Sequence, residues 1–264
     1  MSGDTKKPIT FGSLFAGIGG FDCGFHRAGM QCRWQVEIND HANAVLSKQW
    51  PDIARFRDVR SFPPRPDSPW LGASWRRQFE VDCVAGGFPC QDISYAGFGA
   101  GLGGARSGLF FETIRVVREL RPKRVVLENV AALLTRGLDR VLGELAEIGY
   151  DVEWDCIPAA FVGAPHNRDR VFIVAYADGS GLQRMWSQWQ DKKREIASRY
   201  IGQSGLGEGV STKHWESEPD VGRVANGVPA RVDRLRGLGN AVVPQVAELV
   251  GRIIVESIHC ENGG

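Results

Sequence analysis

Cys90 directly follows Pro89 where an apolar run, Val81–Gly87, gives way to Phe88-Pro89-Cys90-Gln91. A thiol leaving the carboxyl end of a strand in an open α/β sheet stands where ligands gather, so it is placed to act as a nucleophile. The loop that follows carries Gly97, Gly99, Gly101, Gly103 and Gly104, a composition that predicts a lid. Most cysteines beside apolar strands are packed thiols, and Cys83 reads as one. Glu128-Asn129 ends the next strand-like run, Arg124–Val130, where a carboxylate is either held in a cleft or exposed at a strand end. If the two strands are neighbours, Cys90 and Glu128 face one another at strand spacing, roughly 5 Å, across a pocket sized for a planar ring. Arg168-Asp169-Arg170 precedes a later strand, and its guanidinium groups, folded close, would lower the pKa of the thiol.

A second constellation lies near the start. Gly17, Gly19 and Gly20 sit between a strand and a helical pattern, where they would let backbone approach a ligand and free helix amides. Glu37 follows at the end of the second strand, in the place of a carboxylate that holds ribose hydroxyls. The turn departs from Gly-x-Gly-x-x-Gly because Asp22 occupies the third glycine's place, and a carboxylate there would repel a pyrophosphate. A nucleoside ligand therefore fits better than a dinucleotide. The plainer alternative is a simple turn with a solvated Glu37.

The elements that must position these groups alternate. Strands are expected near Ile9–Phe15, Arg33–Ile38, Val81–Gly87, Arg124–Val130, Tyr150–Ile157 and Val171–Tyr176. Helices are expected near Phe21–Gly29, from a cap at Asp40 to Trp50, Leu109–Arg121, Leu138–Ile148 and Pro244–His259. This order predicts an α/β fold with a doubly wound, mostly parallel sheet. The chain has 264 residues, 43% hydrophobic and 24% charged, enough for a real core. No run approaches the roughly 18 apolar residues of a membrane span, and the first ten residues lack a signal-peptide stretch, which predicts a cytoplasmic protein. Six cysteines without a Cys-x-x-Cys pair argue against a structural zinc, and no metal is expected. Net charge is only +1, but six arginines against two aspartates between Ala54 and Arg77 form a local basic excess. Periodicity is lost over Asp178–Val221, which is rich in glycine, serine and tryptophan and carries Lys192-Lys193-Arg194.

The ordered series Phe15-Ala16-Gly17-Ile18-Gly19-Gly20, Glu37, Asp58, Gly87-Phe88-Pro89-Cys90-Gln91, Glu128-Asn129-Val130, Arg168-Asp169-Arg170 and Gly239-Asn240-Ala241-Val242 resembles the DNA cytosine-5 methyltransferases. The resemblance runs from about Phe11 to Val250. It implies the S-adenosylmethionine-dependent methyltransferase type of sheet with a small target-recognition lobe. On that reading 8–177 is the catalytic and cofactor-binding domain, 178–221 the recognition region, and 222–264 a return to the catalytic domain. S-adenosylmethionine would lie among Phe15, Gly17, Gly19, Gly20, Glu37, Ile38, Asp58, Gly87, Pro89 and Asn240, with Glu37 on its ribose and Asp58 on its adenine amine. Cys90 would add to carbon 6 of a flipped cytosine while Glu128 grips the ring nitrogen and exocyclic amine. Arg170 would assist in that pocket, and Arg168 would hold the ring or a phosphate. Two positions depart from the usual pattern: His166-Asn167 stands where glutamine often precedes the arginine pair, and Ile38 where an aromatic often follows the ribose acid.

The resemblance implies methylation of cytosine in double-stranded DNA, with a cognate restriction nuclease as a further partner of such enzymes; a monomer is the default expectation, and no membrane is expected from the hydropathy. A tRNA cytosine-5 methyltransferase and a non-catalytic nucleic-acid-binding module of the same fold are the alternatives. A nicotinamide oxidoreductase accounts for neither Pro89-Cys90 nor Glu128-Asn129.

Overall fold

The computed structural model describes residues 7–64, 74–89, 108–177 and 231–261, with Asp191, Glu195 and Ser198 between the last two stretches. Cys90 and its glycine loop lie outside the described residues. So does Asp178–Val221 apart from those three positions, including the Lys192-Lys193-Arg194 cluster.

Seven strands form one sheet: β1 (Thr10–Leu14), β2 (Gln31–Val36), β3 (Ala54–Phe56), β4 (Cys83–Gly87), β5 (Arg124–Val130), β6 (Asp151–Ile157) and β7 (Arg170–Tyr176). Their order is β3-β2-β1-β4-β5-β7-β6. The pairings from β3 across to β5 are parallel, whereas β7 runs antiparallel to both β5 and β6. The sheet is therefore mostly parallel, as the alternation of elements predicts. Strand order reverses between β1 and β4, and ligands of such sheets bind at the carboxyl ends flanking that switch.

Helices α1 (Gly20–Arg27), α2 (Asp40–Gln49), α3 (Gly108–Leu120), α4 (Leu133–Arg136), α5 (Leu138–Glu147), α6 (Arg231–Asn240) and α7 (Pro244–Glu261) complete the described chain. β5 is buried on both faces, the pattern of a central strand. Its Val125 and Leu127 enter one core with Ile114 and Val117 of α3 and Val141 and Leu145 of α5. Val126 enters a second core with Phe21 and Phe25 of α1 and Val246, Val250 and Ile254 of α7. Gly24 allows that second layer to close: a Cβ there would come within 2.5 Å of the Ala247 Cβ. Residues near the end of the chain thus return to the helix that follows β1.

Three details differ from the sequence expectations. Asn39, not Asp40, caps α2, its side chain accepting from the Ala42 amide, because Asn39 still has extended backbone while Asp40 is already helical. β3 was not expected, being three residues long in an arginine-rich stretch with no apolar alternation. Asp22 does not face a ligand. It is fully buried, accepting from Ser13 Oγ at 3.0 Å and Gln35 Nε2 at 2.8 Å, so its helical position turns it under the glycine turn into the sheet. Burial raises its pKa, against those hydrogen bonds. The repulsion argued for it from sequence does not arise.

Candidate active site

A cavity of about 600 Å³ opens at the carboxyl ends of β1, β2 and β4, beside the switch point. Phe15, Gly17, Glu37, Ile38, Asp58, Gly87, Pro89 and Asn240 all line it. Phe15 and Gly17 have left-handed backbone, with φ of 51° and 55°, so the chain leaving β1 folds back over the mouth of the cavity. That turn directs the Gly17 amide to Glu37 Oε2 at 2.8 Å, while the Asn39 amide donates to Oε1 at 2.7 Å. The carboxylate is thereby held by backbone, and each oxygen keeps a lone pair for a further donor such as a ribose hydroxyl. Asp58 opens the short turn Val59–Ser61 on another wall.

Gly19 and Gly20 do not line this cavity. They border a second one of about 860 Å³ with Trp50, His166, Arg168 and Val242. A Cβ at Gly19 would lie 2.4 Å from the Trp50 ring, and one at Gly20 would lie 2.3 Å from the Val242 carbonyl. These glycines let α2 and the Ala241-Val242 segment pack against the turn. The first cavity also receives Leu109 of α3 and Asp233 and Gly237 of α6, which the sequence reading did not single out. Asp233, Gly237 and Asn240 recur at helical spacing, so a helix assignment for 231–240 would have put them on one face. Nothing in the sequence signals Leu109, whose place depends on how α3 docks.

The other half of the site is built by the reversal of β7. Because β7 runs against β5, the residues just before β7 arrive at the carboxyl end of β5: Val130 pairs with Arg170, and Glu128 with Phe172. Arg170 Nε lies 3.0 Å from Glu128 Oε1. On the other side Glu128 pairs with Gly87 of β4, where a Cβ would come within 2.9 Å of Oε2. Glu128 is only 6% exposed, and burial pushes its carboxyl up to about 7, with Arg170 and then Arg168 pulling the other way. A buried acid that changes protonation near neutrality can donate a proton to a ring nitrogen and take it back.

Asn129 joins the two halves. Its Nδ2 donates to the Phe88 carbonyl at 3.0 Å, and its Oδ1 accepts from the Val130 amide at 2.8 Å, so the end of β5 straps the chain just before Pro89. Cys90 follows that strap immediately in sequence. One nitrogen of the Arg168 guanidinium donates to the carbonyls of Gly239 and Ala241, both at 2.7 Å, from a backbone φ of 29°. It thus holds the segment that carries Asn240 into the first cavity. Cys83 is fully buried and burial pushes its thiol up, which suits a packing role. Among the described residues no group of three or more His, Cys, Asp or Glu side chains could hold a metal ion, and no helix is long and apolar enough to cross a membrane.

Residues 9–221 match the sequence model of the C-5 cytosine-specific DNA methylases. The chain is 37% identical over 178 residues to the type II methyltransferase M.BanI of Aneurinibacillus aneurinilyticus, covering 63% of this chain and 38% of that protein. It is 35% identical over 184 residues to the type II methyltransferase M.AquIA of Picosynechococcus, covering 65% and 73%. With M.BanI and several other type II methyltransferases, the match spans about two fifths of the relative's length. In fold the chain is similar to a DNMT2 structure from Spodoptera frugiperda, with a TM-score of 0.61 over 94% of this chain and 99% of that one at 15% identity.

Proposed function

Since the chain belongs to the C-5 cytosine-specific DNA methylase family, whose methyl donor is S-adenosylmethionine, we propose that it methylates carbon 5 of a flipped cytosine in double-stranded DNA through a covalent Cys90 adduct. One observation carries the reading: Glu128, buried and paired with a half-buried Arg170, lies at the end of β5 against Gly87, which also lines the nucleoside-sized cavity. An acid for the base and a place for the donor thus share a wall.

The cavity fits the donor. Glu37, fixed by two amides, has lone pairs free for a ribose diol, and Asp58 presents a carboxylate to an adenine amine beside Ile38. When bound, S-adenosylmethionine supplies an electrophilic methyl on its sulfonium. The chain's own residues must make cytosine carbon 5 nucleophilic. The Cys90 thiolate adds to carbon 6 while Glu128, in its protonated form, donates to the ring nitrogen and drains charge from the ring. Carbon 5 of the resulting enamine takes the methyl group; loss of its proton restores the double bond and expels Cys90. Arg170 holds the Glu128 carboxylate in position and stabilises it once the proton has been given. The base must leave the stack to reach this pocket, at a cost of a few kcal/mol.

The test is transfer of labelled methyl from S-adenosylmethionine to duplex DNA by purified protein, with methylcytosines mapped by bisulfite sequencing and tRNA assayed in parallel. Methylcytosine in duplex DNA is expected. Label confined to tRNA, or to neither, refutes the reading. Residues 178–221 are proposed to choose the target sequence, from their aromatic and basic composition. A chimera carrying that segment from a relative of known specificity should methylate the relative's site.

A further inference from the structure

The aim of Asp58 is decided by the turn it opens. Its Oδ1 accepts from the Arg60 amide at 2.9 Å, its Oδ2 lies 3.4 Å from the Arg60 guanidinium of the same turn, and its carbonyl accepts from the Ser61 amide and hydroxyl. This turn is held from beneath by Arg115 of α3, 56 residues along the chain from Val59. One Arg115 nitrogen donates to the Val59 carbonyl at 2.7 Å and to the Phe62 carbonyl at 2.6 Å, at the two ends of the turn. Its Nε meets Glu112 at 2.6 Å and its other terminal nitrogen lies 3.4 Å from Glu119, three residues before and four after it on the helix. Only a planar guanidinium can meet two carboxylates and two carbonyls in this way; an ammonium has no such fork. Beyond the turn the Phe62 ring is fully buried and sits 4.5 Å from the Trp34 ring, so the far end cannot swing. The same helix sends Leu109 into the cavity itself. Thus α3 supplies both a wall of the cofactor site and the pin for its polar end.

We infer that Arg115 is a positioning residue for the cofactor's purine: by clamping the carbonyls that bracket the Asp58 turn, it makes the site select a purine with an exocyclic amine. This rests on the adenosine reading of the cavity. Arg115 does not line the cavity, whereas the turn it clamps does, so its effect is to pass through Asp58.

The experiment measures by calorimetry the affinities of S-adenosylhomocysteine and its inosine analogue, which lacks the exocyclic amine. The proteins are wild type, Arg115→Lys, Asp58→Ala and the double variant. Arg115→Lys should weaken the adenosine compound about tenfold and the inosine compound by less than about twofold. In the Asp58→Ala background the same change should cost less than about twofold. Equal losses for the two compounds, or a tenfold loss that persists without Asp58, overturn the inference. Normal binding by Asp58→Ala, with Glu37→Ala still impaired, removes Asp58 from the adenine and the inference with it, but leaves the cavity as the cofactor site. If Arg115→Lys does not fold, Glu112→Gln loosens the guanidinium without removing it. It should weaken the adenosine compound about threefold, again only when Asp58 is present.

Discussion

Replacing Glu128 by glutamine should separate stability from catalysis. Burial moves this carboxyl from an ordinary value of 4.5 to about 7 in the folded protein. At about 1.36 kcal/mol per pH unit, the folded state is penalised by about 3 kcal/mol once the group must ionise. The sign follows from proton binding: between pH 4.5 and 7 the folded chain holds this proton and the unfolded chain has lost it. Stability is therefore fully present below about 4.5 and is lost as pH rises through 7. Glu128→Gln keeps an oxygen for Arg170 Nε, which now stands 3.0 Å from the carboxylate, and removes the titration. Urea unfolding at pH 5 and pH 8 should show the variant gaining about 2–3 kcal/mol relative to wild type between the two, in the direction of greater stability at pH 8. Its formation of the covalent adduct should fall by about 100-fold or more, since an amide cannot supply the proton. A wild-type-like pH dependence of stability in the variant, or an undiminished adduct rate, would refute the reasoning.

Cys90→Ser should abolish a denaturant-stable adduct with DNA containing 5-fluorocytosine, read on gels, whereas Cys83→Ser should leave it, because Cys83 is a buried strand residue. Glu37→Ala should weaken S-adenosylmethionine binding by about tenfold or more by calorimetry while the fold persists, since it removes charge-assisted hydrogen bonds. Asn129→Ala frees the Phe88 carbonyl at the exit of β4; it should cost about 1–3 kcal/mol in unfolding experiments and slow adduct formation while leaving cofactor affinity near wild type. Glu153, buried on β6 with its pKa also raised by burial, provides the comparison for Glu128. Glu153→Gln should shift stability with pH in the same direction and leave methyl transfer unchanged.

The apolar runs of β4, β5 and β7 were legible because they carry the signature of burial on both faces. β3 does not, since Ala54–Phe56 only pairs with the edge of β2. The direction of β7 was not legible either: the run Val171–Tyr176 is equally apolar in either sense, and its antiparallel pairing is settled by the short return through 158–169. The chemistry assigned to the ends of β4 and β5 came from the ordered series of motifs, since a thiol or a carboxylate leaving an apolar run can equally be packed or solvated. What escaped were roles set by tertiary approach. Gly19 and Gly20 look like ligand-facing glycines in sequence and prove to be contact points for Trp50 and Val242. Asp22 reads as facing a ligand from the third glycine's place and is buried by the sheet. Arg115 reads as one more helix-surface arginine until the Val59–Ser61 turn is brought beneath it.

The alternation along β5 ties two requirements to a single phase. Val125 and Leu127 fill one core, Val126 the other, and Glu128 continues the Val126 side while Asn129 continues the Leu127 side. Inserting or deleting one residue inside the strand would turn the acid to the opposite layer and drive the wrong side chains into both cores at once. No local adjustment repairs this, because the neighbours on both edges already fix the pairing. The turn ahead of the strand is fastened as well, since the Tyr150 hydroxyl donates to the Pro122 carbonyl at 2.7 Å and the Ala177 amide to the Lys123 carbonyl at 3.2 Å. The acid's place is thereby protected by the same hydrophobic pattern that keeps the protein folded.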